Sequence, residues 1–127
     1  MLTEQNVSTK SLVKAFKAIG EPTRLKILRM LATRDLYVCE LEAVLSMNQP
    51  RVSQHLRVLK EADLVREAKE AQRTLYSLDK DVLTSFLKDF QMLLTAPLES
   101  FSEFEAELNR LKSLADTNVL RCCKNEC

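Results

Sequence analysis

The stretch SMNQPRVSQHLRVLKEADLV, residues 46–65, restricts the fold more than any other part of the chain. Asn48 is a favoured N-cap, and Pro50 falls in the first turn, where its missing N–H costs nothing. Val52, Leu56 and Leu59 follow at i, i+4 and i+7 and line one side of the resulting helix. At about 100° per residue, Pro50, Arg51, Ser53, Gln54 and Arg57 occupy the other side. Arg can bond guanine O6 and N7 together, Gln can bond adenine N6 and N7, and Ser adapts to several partners. Such a face suits the major groove of DNA. An ordinary amphipathic surface helix has the same pattern, so the segment by itself leaves both readings open.

Its flanks separate them. CELEAVL (39–45) is one short helix, and the three- to four-residue turn SMN(Q) has the spacing of a helix-turn-helix. Downstream, Leu64 and Val65 open a strand and Thr74–Leu78 form another, with a polar loop carrying Lys69 and Arg73 between them. A hairpin after a recognition helix is a wing, whose basic residues reach the DNA backbone or minor groove. The candidate DNA-binding residues are therefore Asn48, Gln49, Arg51, Ser53, Gln54, Arg57, Lys69 and Arg73.

The remaining elements read as helices. Residues 8–19 place Leu12, Phe16 and Ile19 on one face, and Gly20 ends that helix. PTRLKILRMLA restarts one, with Pro22 in the first turn and an apolar face of Ile27, Leu28 and Leu31. DLYV (35–38) suffices for one edge strand. From 81 to 94, Val82, Leu83, Phe86, Leu87, Phe90, Leu93 and Leu94 make a stripe too apolar for a lone surface helix, which with the first helix would form a dimer interface. Pro97 breaks it, and a last helix over about 98–115 presents Leu98, Phe101, Phe104, Leu108 and Leu111. The fold class is mainly α with a small β-hairpin wing. Residues 1–97 read as a DNA-binding and dimerisation domain, and residues 98–127 as a C-terminal helix with a cysteine-containing tail.

Composition excludes other classes. A single Gly and three Pro among 127 residues argue against disorder and against a turn-rich all-β fold. No apolar run approaches the roughly 18 residues of a membrane span, and no signal peptide is visible, so the expected compartment is the cytoplasm. The net charge is only +1. Its distribution is uneven: residues 10–34 carry Lys10, Lys14, Lys17, Arg24, Lys26, Arg29 and Arg34 against Glu21 alone. With one His, no glycine-rich phosphate loop and no plausible carboxylate pair, an enzyme is not expected, nor is an organic cofactor.

The order of elements resembles the ArsR/SmtB family of winged-helix repressors. EPTRLKILRML (21–31), DLYVCELEAVL (35–45), QPRVSQHLRVLKEADLV (49–65) and RTLYSL (73–78) carry the resemblance, which covers roughly residues 8–95. It implies a homodimer that binds operator DNA and releases it when a metal or metalloid ion binds. Family members with an arsenic site on the short helix show Cys-Val-Cys there; here Tyr37 replaces the first Cys and only Cys39 remains. Members that sense zinc on the dimer helix use histidines, and residues 81–95 contain none. The usual Gly after the recognition helix is Asp63, which tolerates a left-handed cap. The wing tip lacks its common Gly.

Three of the four cysteines, Cys122, Cys123 and Cys127, stand in the last six positions. A reducing compartment makes clustered thiols metal or redox sites rather than disulfides. As(III) and Sb(III) favour thiolate sulfur, and As(III) takes three sulfurs in a pyramid. Arg121 and Lys124 favour the thiolate form. The tail is thus the candidate metalloid site, with Cd, Pb or Zn binding and a redox or persulfide response as alternatives. A third reading is a winged helix that binds only protein, its tail stapled by zinc. Cys39 reads as a small buried helix residue and His55 as a packing and hydrogen-bonding residue.

Overall fold

The computed structural model describes residues 7–114. One compact unit spans Thr9–Phe90, and the described residues outside it, 7–8 and 91–114, belong to a second. The first unit runs α1 (Thr9–Ile19), α2 (Pro22–Thr33), β1 (Leu36–Tyr37), α3 (Val38–Leu45), α4 (Gln49–Glu61), β2 (Val65–Glu70), β3 (Arg73–Leu78) and the start of α5 (Lys80–Thr95). The strands form an antiparallel sheet in the order β1-β3-β2, with β1 on the edge. The winged helix-turn-helix expected from the sequence is present, mostly helical with a small sheet.

Local chemistry explains the boundaries. Gly20 closes α1: its N–H bonds Phe16 O at 2.8 Å, and a Cβ there would meet that same oxygen at 3.0 Å. Glu21 then caps α2 by accepting from the Arg24 N–H, with Pro22 in the first turn. Asn48 does the same for α4 through the Arg51 N–H at 3.0 Å. Asp79 caps α5 through the Val82 N–H at 3.1 Å. At the end of α4, Asp63 adopts φ 61°, its N–H bonds Lys60 O, and the Leu64 N–H bonds Leu59 O. This is a Schellman cap on a residue other than glycine.

The core lies between α2, α3, α4 and the sheet. Ile27, Leu41, Val52, Leu56, Leu59 and Leu64 are completely buried, with Leu31, Leu36, Val65, Tyr76 and Leu78 beside them. The apolar lines read for α2 and α4 are therefore the buried ones. That of α1 is rotated: Leu12, Ala15 and Ala18 are buried, Ile19 is half-buried and Phe16 stays 40% exposed. Small Ala side chains let α1 approach its neighbours closely, which turns the larger Phe16 outward. Its ring meets Phe86 and Phe90 edge-on, at 4.8 and 4.7 Å between centroids.

The long C-terminal helix expected over 98–115 is not formed as such. Two 3₁₀ turns, Leu98–Ser100 and Ser102–Phe104, precede a short α6, Glu105–Lys112. The apolar residues Leu98, Phe101 and Phe104 recur every three positions, the period of a 3₁₀ helix. The Ser100 hydroxyl bonds Pro97 O at 2.6 Å and so competes with helical hydrogen bonding. Phe101 and Phe104 pack edge to face at 6.1 Å.

Candidate nucleic-acid interface

Three residues, Ser46, Met47 and Asn48, separate α3 from α4, a helix-turn-helix turn. Ser46 makes it tight by taking φ 53°, and the Met47 N–H returns to Glu42 O. With Val52, Leu56 and Leu59 fixed in the core, α4 turns Arg51, Gln54 and Arg57 to solvent. No ion pair among the described residues involves Arg51 or Arg57. Ser53 is half-buried and accepts from Gln49 Nε2 at 2.8 Å. Asn48 is exposed, with its side-chain oxygen engaged as the cap. The structure thus brings Asn48, Gln49, Arg51, Ser53, Gln54 and Arg57 onto one helix and its cap.

His55 faces inward. Its Nδ1 lies 3.5 Å from an Arg24 guanidinium nitrogen and 3.7 Å from Glu21 Oε2. Arg24 also donates to Ala18 O at 2.6 Å and Lys17 O at 3.2 Å. The His55 contacts tie α4 to the α1–α2 corner. The Arg24 N–H holds the Glu21 carboxyl below the usual range, against the opposing effect of burial, and the nearby His55 adds a smaller lowering. The sequence did not single out Arg24; its place among many basic residues hid it.

The wing differs from the polar loop expected. The turn is only Ala71–Gln72, and Lys69 and Arg73 are strand residues beside it. Lys69 pairs with Thr74 and Glu70 with Arg73, so strand alternation puts Lys69 and Arg73 on opposite faces of the hairpin. Ala71 takes φ 58°, filling the place of the missing Gly. At the wing base Glu67 accepts from both Lys60 of α4 and the Tyr76 hydroxyl, which lies at 2.8 Å. Lys60 and then Tyr76 hold the Glu67 carboxyl below its usual range. Burial, reinforced by Glu67, pushes the Tyr76 hydroxyl up to about 12.

Cys39 is exposed, not buried as the sequence suggested. Leu41, two positions on and about 200° around the helix, takes the core side instead. Cys39 lines a cleft of about 250 Å³ with Tyr37, Glu42, Gln49, Gln72 and Arg73. No cluster of three or more metal-ligating side chains occurs among the described residues. Cys122, Cys123 and Cys127 lie outside the described residues. No helix among the described residues is long and apolar enough to cross a membrane.

Residues 21–67, from the cap of α2 into the wing, match the family described as bacterial regulatory protein, arsR family. An HTH-type transcriptional regulator of Methanocaldococcus jannaschii is 39% identical over 74 residues, 58% of this chain and 83% of that protein. The chain belongs to the ArsR family. This ArsR-family protein is a DNA-binding transcriptional regulator and not an enzyme. The arsenical resistance operon repressor of Staphylococcus xylosus is 28% identical over 90 residues, 71% of this chain and 86% of the relative. Among solved structures, reduced HlyU from Vibrio cholerae has a TM-score of 0.56 at 33% identity, covering 70% of this chain and 93% of its own. The homodimeric winged helix-turn-helix DNA-binding domain from Mycobacterium bovis has a TM-score of 0.57 at 28% identity, covering 67% and 79%.

Proposed function

We propose that this ArsR-family regulator is a homodimeric repressor that binds a palindromic operator and releases it when As(III) or Sb(III) binds Cys122, Cys123 and Cys127. The observation that carries the DNA reading is the face of α4. Arg51, Gln54 and Arg57 project from a helix whose opposite side is wholly buried, and the two guanidinium groups have no ion pair among the described residues. Arg51, Ser53, Gln54 and Arg57 read or anchor, Asn48 and Gln49 position the helix start, and Lys69 and Arg73 hold phosphate. Two recognition helices address half-sites about 34 Å apart, one helical turn.

Dimerisation is supported by the homodimeric neighbour and by the apolar side chains left exposed on α1 and α5. Residues 1–97 serve binding and dimerisation, and residues 98–127 carry the sensor. The metalloid reading is supported by three clustered thiols and by the likeness to an arsenical resistance repressor. Bound ion favours the DNA-free state, because equal affinity for both states would shift nothing. The protein would act in the cytoplasm, where the thiols stay reduced.

The test is an operator titration of the reduced chain with arsenite, antimonite, cadmium, lead and zinc. Arsenite should release the wild type, while Cys122→Ser and Cys123→Ser bind DNA normally and stay bound. Release of both variants would exclude the tail site. Gln54→Ala should weaken binding and relax sequence choice at one base pair, by about 1–3 kcal/mol. A second reading, a thiol-redox effector, is favoured by the exposed Cys39 and by likeness to a regulator solved in a reduced form. There two thiols close a disulfide, giving two protons and two electrons to a peroxide that leaves as water. Peroxide-driven release, reversed by dithiothreitol, with arsenite inert, would select it.

A further inference from the structure

We infer that Tyr37 is a positioning residue for DNA binding: its hydroxyl occupies the Glu70 carboxylate and its ring carries Arg73, leaving that guanidinium unpaired at the wing tip. The inference rests on the operator-binding reading above and names how one phosphate contact is prepared.

Glu70 and Arg73 stand directly opposite each other across the two-residue turn. Side chains so placed have Cβ atoms about 4.5–5.5 Å apart, and opposite charges there ordinarily attract. Yet no ion pair among the described residues involves Arg73. Glu70 Oε2 instead accepts from the Tyr37 hydroxyl at 2.5 Å, and the Arg73 guanidinium carbon lies 4.3 Å above the Tyr37 ring centroid. One side chain thus engages both members of the potential pair. Tyrosine offers both parts at once, a flat π face for a cation and a donor at its far end for a carboxylate.

Tyr37 is well anchored for the task. It sits on the edge strand β1, paired with Leu75 of β3. Its backbone N–H donates to Glu40 Oε1 at 3.0 Å, and Glu40 is itself held by Arg34 at 2.7 Å. The base of the ring is therefore fixed from α3 while its tip meets the wing. Were the hydroxyl absent, Glu70 could turn to Arg73 and neutralise it. A cation already paired to a neighbouring carboxylate gains less from phosphate, because the pair must first be broken.

The experiment selects duplexes from a random pool with the wild-type full-length reduced chain, then measures affinity against salt for the enriched duplex. Arg73→Ala should lower the salt slope by about one per bound protomer, as loss of a phosphate contact does. Tyr37→Phe keeps the ring and the fold, checked by circular dichroism, and should weaken binding on the order of threefold to fivefold. Adding Glu70→Gln should restore Tyr37→Phe by more than the same change improves the wild type. Equal gains in both backgrounds, or a Tyr37→Phe protein that binds as the wild type does, would overturn the inference while leaving operator binding intact. An Arg73→Ala protein with an unchanged slope overturns it too. Failure of the wild type to enrich any duplex would instead sink the operator-binding reading itself.

Discussion

Helices α4 and α5 are both amphipathic, but they leave opposite chemistry in water. On α4 every large apolar side chain of the inner line is fully buried, and the outer face is Arg51, Gln54 and Arg57. On the α5 segment of the first unit only Phe86 is buried, while Leu87 remains 54% exposed; Val13 and Phe16 of α1 are exposed as well. Leaving such groups wet forgoes roughly 25 cal/mol for each Å² that could be covered. The first face suits a polyanion and the second an apolar protein surface, so one small unit is equipped for two kinds of partner.

The largest effect expected from breaking this contrast is on stability. Leu56→Ala should cost about 2–5 kcal/mol in urea unfolding, because Leu56 is completely buried and its truncation leaves a cavity in the core. Leu87→Ala should cost far less in the monomer, and a comparable loss there would show that Leu87 is not the surface residue it looks like.

A paired charge substitution separates the two faces. Arg57→Glu should weaken operator binding by tenfold or more on the order expected for a lost and reversed phosphate or base contact, with self-association unchanged in sedimentation. Leu87→Glu should shift the same sedimentation profile to monomer. If both variants remain dimeric, the apolar face has another role.

A smaller effect concerns alkaline pH. Burial and Glu67 raise the Tyr76 hydroxyl to about 12 in the folded chain, above its ordinary value near 10. The neutral phenol is thus favoured by folding. Its contribution is fully present below about pH 10 and is lost as pH rises toward 12. Tyr76→Phe should flatten that part of the stability profile, and an unaltered decline would assign it to other groups. The smallest effect belongs to the wing tip. Ala71→Gly should relieve the left-handed φ of 58° and stabilise the chain by about 0.5–1 kcal/mol, net of the entropy glycine adds to the unfolded state.

What the sequence made legible follows from periodicity. The lines Val52–Leu56–Leu59 and Ile27–Leu28–Leu31 are strong because each buried position has an aliphatic residue and most exposed positions a polar one, Leu25 being the large exception. Asn48, Pro50 and Asp63 marked the ends of α4 through local backbone chemistry, and all three act there as such. The α1 face was misread because large side chains dominate any apolar count, whereas close helix packing selected Ala15 and Ala18. The helix over 98–115 failed because a three-residue period and the Ser100 hydroxyl bond favour 3₁₀ turns locally. Cys39 was placed inside on the habits of its residue type, when Leu41 had already claimed the core side. The Tyr37–Glu70–Arg73 and Arg24–His55 contacts join residues 33, 36 and 31 positions apart, and no window along the chain contains them.

One detail at the end of α4 couples the helix to the hairpin that follows it. Leu64 is gripped from both sides: its N–H returns to Leu59, and its carbonyl receives the Asp79 N–H at 2.9 Å. Together with the Lys60–Glu67 bridge, these bonds fasten the hairpin to the end of the helix. Substitutions at the hairpin tip leave this joint untouched, but one residue gained or lost at 62–64 would throw helix and hairpin out of alignment together.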